Sequence, residues 1–239
     1  MAKRSKSGRC VHCLQNVEYL TRDHIFPFAW YPDNTPENLQ RWTIPSCKKC
    51  NEQYGRLEED LLLRLGLCID PEDAKSSGIT DKVLRSIDPH YANDRREKRI
   101  RERKREKIKQ EIVKWEAIPP RGLHPNFQVQ SNVYYPEYAS IPISADKLER
   151  LCHKIVRGIT YFVDQTFIEN NFEIQFLTVD DKAAQPILKK YQQHLNTYDR
   201  PGIKVVRAMT SENPDAGFYA IEIWGRLKMY AVVTPKKLS

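Results

Sequence analysis

Residues 10–51 begin Cys10-Val11-His12-Cys13 and end Cys47-Lys48-Lys49-Cys50-Asn51, so two Cys-x2-Cys pairs bracket a segment of 33 residues. Four thiolates in two such pairs are typical of one tetrahedral zinc ion whose complete ligand set is structural rather than catalytic. We therefore expect Cys10, Cys13, Cys47 and Cys50 to hold a structural Zn²⁺ ion, with a redox pair or disulfides as the alternatives. Such an ion would join two distant pieces of backbone and hold the segment between them rigid.

That segment and Asn51, the residue directly after the second Cys-x2-Cys pair, contain the side chains that a metal-dependent phosphodiesterase needs. Histidine titrates near neutrality, so His24 is a candidate general base that takes a proton from an attacking water. Asp23 and Asn51 offer hard oxygen ligands for Mg²⁺ or Mn²⁺, which would polarise a scissile phosphate. Adjacent residues of an extended strand point to opposite faces, so the use of Asp23 and His24 in one site requires a local bend. His12, inside the first cysteine pair, is interpreted as a bystander.

The joint pattern resembles an HNH endonuclease of the ββα-metal (His-Me finger) class. The elements that carry the resemblance are, in order, Cys10-x2-Cys13, Asp23-His24-Ile25-x-Pro27, Asn38-Leu39-Gln40 and Cys47-x2-Cys50-Asn51. The resemblance covers the N-terminal part of the chain and implies His24 as general base and Asp23 with Asn51 as ligands of the catalytic ion. It further implies that Asn38 holds the loop that orients His24. Tyr54 departs from the family pattern, since many relatives have a lysine there, and Arg56 is the candidate replacement.

The composition describes a polar chain with a core-forming apolar fraction. Of 239 residues, 40% are hydrophobic and 29% are charged, and the net charge is +8. The N-terminal basic residues precede no apolar run, and no later stretch is apolar enough to span a membrane. Cys68 and Cys152 are left over as thiols. We therefore expect a cytoplasmic protein with reduced cysteines and no membrane association.

The positive charge is concentrated in one segment. Residues 95–109 read RREKRIRERKREKIK, with ten Lys or Arg and three Glu, so this segment alone is +7. No Gly or Pro interrupts residues 95–118, which predicts a helix throughout, with an apolar seam of Ile100, Ile108, Ile112 and Trp115. We interpret it as an electrostatic arm along a nucleic-acid backbone, with a solvated charged helix as the alternative. The predicted contact residues are Arg95, Arg96, Lys98, Arg99, Arg103 and Lys107.

The rest of the chain predicts further helices and strands around these features. Leu57, Leu61 and Leu65 recur at helical spacing and predict a helix packed on the hairpin. Residues 129–143 are aromatic and broken by proline, which predicts short edge strands or loop. Beyond Ser144 we predict a helix, a strand over 172–179, a helix over 181–195 and strands over 203–208, 218–224 and 227–233. The helix after Ser144 has an apolar face of Leu148, Leu151, Cys152, Ile155 and Ile159.

Together these features predict an α+β protein in three parts. An N-terminal zinc-stapled ββα-metal (HNH) module occupies residues 1–66, a connector with the basic helix occupies 67–140, and a small α+β domain occupies 141–239. The predicted function is metal-dependent endonuclease activity on nucleic acid, with double-stranded DNA the expected partner. The alternatives are a non-catalytic zinc-containing nucleic-acid-binding protein, and a chain whose C-terminal domain is the functional unit. A homodimer or a protein partner is left open for that domain.

Overall fold

The N-terminal part of the chain is built from two short hairpins and a helix. The computed structural model describes residues 7–114, 139–177, 179, 181–190, 195–209 and 216–236. Strand β1 (Gly8–Arg9) pairs with β2 (Asn16–Val17), and β3 (Leu20–His24) pairs antiparallel with β4 (Thr43–Cys47). Helix α1 (Lys48–Leu65) begins directly after β4 and contacts both β3 and β4. A hairpin is thus followed at once by a helix that packs on it.

Helix α1 is formed by capping at its start and by a leucine stripe along its length. The Cys47 sulfur accepts a hydrogen bond from the Cys50 backbone N–H, which satisfies one of the donors left free at a helix N-terminus. Leu57, Leu61 and Leu65 are all buried, which confirms the predicted stripe. Burying such a stripe supplies most of the stability of a short helix in a folded protein.

Two helices follow, and the second is the basic helix. Helix α2 (Ile79–Ile87) contacts α3 (Arg95–Glu111), and the Asp94 side chain caps α3 by accepting from the Glu97 backbone N–H. The prediction of a helix over 95–118 is wrong at residues 112–114, because β5 (Val113–Lys114) pairs instead with β6 (Ala139–Ser140). Pairing with a distant strand overrides local helix propensity here.

The predicted apolar seam of α3 is only partly buried. Ile108 is 3% exposed, whereas Ile100 and Ile112 are 42% and 41% exposed. Trp115, the last member of the predicted seam, lies outside the described residues, as do residues 116–118 and 129–138. Within its described length, α3 is therefore buried at Ile108 and open to solvent on either side of it.

The C-terminal part is a long helix and an antiparallel sheet. Helix α4 (Ala145–Asp164) is followed by β7 (Phe172–Leu177), α5 (Asp181–Lys190), β8 (Leu195–Arg200), β9 (Ile203–Met209), β10 (Gly217–Ile223) and β11 (Leu227–Pro235). The sheet has the order β7-β11-β10-β9-β8, and all four pairings are antiparallel. No helix in the described part of the chain has both the length and the apolar character needed to cross a bilayer.

The predicted elements of this part are largely present, with one strand missed. The helix predicted over 181–195 is wrong at Leu195, which begins β8 and pairs with Ala208 of β9. The turn between β10 and β11 is centred on Trp224 and Gly225, whose φ angles are 53° and 67°. Two positive φ angles are the signature of a type I′ hairpin turn, which matches the twist of the flanking strands.

Helix α4 lies between the N-terminal hairpin and the sheet. It contacts α1 and β4 on one side and β7 and β11 on the other. The predicted apolar face of α4 is entirely buried. On the hairpin side, a Cβ atom added to Gly158 would lie 3.0 Å from the Ile25 side chain, so the glycine permits a close approach. One hydrophobic core therefore runs from the hairpin through α4 into the sheet.

Candidate functional site

The first component of the site is a cluster of four cysteine sulfurs, which we call the four-cysteine cluster. Cys10 and Cys13 lie in the turn between β1 and β2, Cys47 ends β4, and Cys50 lies in the first turn of α1. All four Sγ atoms lie within 4.8 Å of one another. The separation of Cys13 Sγ from Cys47 Sγ is 3.8 Å, close to the edge of about 3.8 Å expected for a tetrahedron with Zn–S bonds of about 2.3 Å. The cysteines are free of disulfides, and the cluster could hold a zinc ion.

The electrostatics of this cluster favour a bound cation. Burial disfavours the Cys10 thiolate, but backbone N–H groups of Cys13, Cys47 and His12 donate to its sulfur, and its pKa is lowered to about 7. Burial and the neighbouring Cys10 raise the pKa of Cys13. Four converging thiolates repel one another unless a cation lies between them, and a metal ion is such a cation.

Asp23 and His24 occupy opposite faces of β3. The strand is regular through His24, and the backbone bends only at Ile25 and Phe26. Asp23 is 4% exposed and points toward the core, whereas His24 is half-buried on the outer face. The local bend that would bring both side chains to one side of the strand is therefore missing from β3.

The Asp23 carboxylate belongs to a buried polar network. His12 Nε2–H donates to Asp23 Oδ2 at 2.9 Å, and Lys154 Nζ donates to Asp23 Oδ1 at 3.0 Å. Lys154, on α4, also donates to the His24 carbonyl oxygen at 2.6 Å and to Glu58 Oε1. It is 0% exposed, and these three acceptors use all three of its N–H groups. The interpretation of His12 as a bystander is wrong, because His12 is a buried partner of Asp23.

Burial and charge set the protonation of this network. Burial raises the pKa of Asp23, but the His12 hydrogen bond and the Lys154 charge outweigh it, so the net shift is downward. Burial raises the pKa of Glu58 to about 7 despite the nearby Lys154. Burial also lowers the pKa of His12. The network therefore holds Asp23 ionised and His12 neutral, which fits a neutral imidazole that donates to a carboxylate.

His24 is placed to be neutral at physiological pH. Burial lowers its pKa, and the positive charges of Lys154 and Arg41 lower it further, while Asp23 acts in the opposite direction. Its backbone carbonyl is held by Lys154, and Thr43 lies opposite it across the hairpin. A neutral, half-exposed imidazole is the form that can accept a proton.

The two predicted asparagines differ in how they are held. Asn51 lies in the first turn of α1, and its Nδ2 donates to Thr21 Oγ1 at 2.9 Å and to the Arg22 carbonyl at 3.4 Å. It therefore joins the helix to the strand that carries Asp23. Asn38 is exposed in a turn, and its side chain makes no hydrogen bond within the described part of the chain. The predicted contact from Asn38 to the loop after His24 is not among the described hydrogen bonds.

At position 54, where many HNH relatives have a lysine, this chain has the aromatic ring of Tyr54. Tyr54 packs against His12, with ring centroids 4.5 Å apart, and burial raises its pKa to about 12. The Lys154 ammonium lies 5.5 Å from the Tyr54 ring centroid. Arg56, the predicted replacement, is exposed on α1. The buried cation near this position comes from α4, far along the chain.

The predicted nucleic-acid contacts form an exposed basic surface on α3. All six residues are exposed; they are Arg95, Arg96, Lys98, Arg99, Arg103 and Lys107. Within the described residues, only Lys107 among them has a carboxylate within 4.0 Å, that of Glu111. Ion pairs from Lys104 to Glu59 and from Arg64 to Glu111 attach α3 to α1.

Lys154 and Glu58 are the functional candidates that sequence reasoning missed. Lys154 follows Leu151 by three residues and precedes Ile155, so it falls on the apolar face of α4. A lysine on such a face is the available signal for a buried charge. Nothing in the sequence identifies its partners, because Asp23 and Glu58 are 131 and 96 residues away.

Comparisons of this chain with protein-family models, with curated proteins and with solved structures found no match.

Proposed function

We propose that this protein is an endonuclease that hydrolyses phosphodiester bonds of nucleic acid, with DNA the expected substrate and His24 as general base. The observation that carries the proposal is the position of His24. It lies at the outer end of a hairpin that is followed by a helix and closed by the four-cysteine cluster, with its pKa lowered and its carbonyl held by Lys154. The HNH-like sequence pattern supports the same assignment.

In this proposal the imidazole of His24 accepts the proton of the attacking water. A general base of this kind contributes about 10²–10⁴-fold to a hydrolysis rate. The lowered pKa keeps the ring unprotonated at neutral pH, as a general base requires. The Lys154 hydrogen bond to the His24 carbonyl fixes the backbone that carries the ring. Zinc in the four-cysteine cluster would fix the turn between β1 and β2 to the end of β4 and the start of α1, without taking part in the chemistry.

The residues predicted to bind a catalytic Mg²⁺ or Mn²⁺ ion have suitable donor atoms. The ion, however, cannot reach the Asp23 carboxylate in this structure. Asp23 and Asn51 supply the oxygen donors that such ions prefer. However, the Asp23 carboxylate is 4% exposed, and each of its oxygens already accepts a hydrogen bond, one of them from the Lys154 ammonium. These residues as arranged do not fit a hydrated divalent ion, so we assign no step of the reaction to one. Measuring nicking activity with and without added Mg²⁺ or Mn²⁺ tests the expectation that Asp23 and Asn51 bind a catalytic ion.

The basic surface of α3 supports a nucleic-acid substrate. Five of its six predicted contact residues have no carboxylate within 4.0 Å among the described residues, so their charge is available to phosphates. Phosphate contacts of this kind supply affinity that is independent of base sequence. They would hold a duplex against the module that carries His24.

A second candidate is a non-catalytic zinc protein that binds nucleic acid. The observation that favours it is the burial of Asp23, which accepts a hydrogen bond from His12 and forms an ion pair with Lys154, so that this residue has a structural role. The four-cysteine cluster and the basic surface of α3 are equally consistent with both candidate functions. Cleavage is therefore the property that separates them.

Nicking of supercoiled plasmid tests the proposal directly. Wild-type protein should nick the plasmid in the presence of Mg²⁺ or Mn²⁺, and His24→Ala should lose about 10²–10⁴-fold in rate while retaining duplex binding. The matched control is His90→Ala, which removes an exposed histidine of the segment between α2 and α3. Wild-type protein that binds duplex but never nicks it, across Mg²⁺, Mn²⁺, Zn²⁺ and Ni²⁺, would establish the second candidate instead.

A further inference from the structure

Two arginines from distant parts of the chain, Arg41 and Arg200, lie near Tyr31, and Arg41 shares a strand face with His24. Arg41 precedes β4, and it is two residues from Thr43, the cross-strand partner of His24. The backbone continues the hairpin here, since Ile25 N–H donates to the Trp42 carbonyl at 3.0 Å. Residues two apart on an extended strand share a face, so Arg41 lies on the outer face with His24. Arg200 ends β8, and its guanidinium Cζ lies 4.2 Å from the centroid of the Trp42 ring.

Aromatic rings hold both guanidinium groups of this arginine pair. Arg41 Cζ lies 3.9 Å from the Phe28 ring centroid and 5.4 Å from that of Tyr31. Arg200 rests on Trp42, which is 5% exposed. Stacking on a ring orients a planar guanidinium while leaving its N–H edge free to donate two hydrogen bonds to a phosphate. The pair is therefore fixed in orientation before any ligand binds.

The arginine pair lacks acidic partners. Neither Arg41 nor Arg200 has a carboxylate within 4.0 Å among the described residues, and the hydrogen bond from Arg200 Nη1 goes to the backbone oxygen of Asp199. The Nε atoms of both side chains are buried without a hydrogen-bond partner in the described part of the chain. Burial raises the pKa of the Tyr31 hydroxyl, and the charges of Arg200 and Arg41 partly oppose that rise. Two guanidinium groups that stack on aromatic rings, lack acidic partners and lie near one buried hydroxyl form a binding site for an anion.

We infer that Arg41 and Arg200 bind consecutive phosphates of the nucleic-acid strand that reaches His24. This inference rests on the proposed function and extends it, because it makes the C-terminal sheet part of the substrate-binding surface. The ligand is a phosphodiester backbone, since fixed guanidinium groups match phosphate oxygens in charge and geometry. The surface is separate from α3, and it would place the strand at His24 while α3 holds duplex farther away.

Salt-dependent binding of a fluorescein-labelled DNA duplex tests this inference. The log–log slope of affinity against salt falls by about 0.9 for each duplex phosphate contact that is lost. Arg41→Gln and Arg200→Gln should each flatten the slope by about that amount, and the double variant by about twice as much. Arg41→Lys and Arg200→Lys keep the charge, so each should retain most of the wild-type salt slope. Melting of each variant by circular dichroism identifies any that fail to fold.

The matched control removes the same charge at the other end of the sheet. The control variant is Lys182→Ala. Lys182 lies on α5, and Ala184 of this helix packs near Ala208, at one end of the β8–β9 pair. Arg200 lies at the other end of that pair. Arginine variants that change the slope no more than Lys182→Ala would overturn the inference, and plasmid nicking by the same wild-type protein would still support the endonuclease. Binding of polyglutamate, but not of duplex, through these arginines would overturn it in favour of an acidic peptide.

Discussion

The buried lysine on α4 offers the sharpest test of how this structure is held together. Lys154→Met removes a fully buried ammonium and leaves the ionised, buried Asp23 carboxylate without its cation. Breaking a buried ion pair by removing one partner costs about 3–5 kcal/mol, because the remaining charge stays buried and uncompensated. For a chain of this size, about 2–4 °C is lost per kcal/mol, so the melting temperature should fall by about 6–20 °C.

The matched variant is Lys147→Met, two turns earlier on the same helix. Lys147 makes an ion pair of 2.7 Å with Asp60, but its side chain is 34% exposed. An ion pair at the surface contributes about 0–1 kcal/mol, so this variant should melt within a few degrees of wild type. Thermal and urea unfolding of both variants, measured under the same conditions, compare the same substitution on one helix at a buried and an exposed position.

Removal of the carboxylates should rescue the buried variant. In an Asp23→Asn, Glu58→Gln background, no buried charge is left behind, and Lys154→Met should cost less than it does in wild type. The reasoning is refuted if Lys154→Met costs no more than Lys147→Met, or if its cost is unchanged in that background. Either result would mean that Lys154 does not compensate buried charge in the folded protein.

The zinc content, the titration of Glu58 and the basic surface of α3 can each be tested separately. Purified protein should contain about one zinc per chain, and Cys47→Ser should release it and unfold the N-terminal hairpin, as metal analysis and circular dichroism would show. Glu58 holds a proton in the folded state between its usual pKa of 4.5 and about 7, and the unfolded chain releases it, so wild type should lose stability relative to Glu58→Gln as pH rises through that window in urea titrations. Neutralising Arg99, Arg103 and Lys107 together should flatten the salt slope of duplex binding by about three, and an unchanged slope would make α3 a solvated spacer.

Features that depend on local spacing were predictable from the sequence. The Cys-x2-Cys pairs predicted a cluster of four sulfurs, and the structure brings these sulfurs within 4.8 Å of one another. The leucine stripe of α1 and the apolar face of α4 predicted which side of each helix is buried. These predictions held because a Cys-x2-Cys turn and a helical period are properties of a short stretch of chain, whatever it packs against.

The tertiary structure alone decided the protonation and the partners of the candidate site. Asp23 was predicted as a metal ligand from its neighbours, yet its surroundings are set by Lys154, 131 residues away. In the same way, α3 ends at Glu111 because Val113 pairs with Ser140, and Arg200 lies over the Trp42 ring only because α4 packs the sheet against the hairpin. Burial and ion pairing depend on which segments meet in space, and a single sequence carries that information only through the complete packed fold.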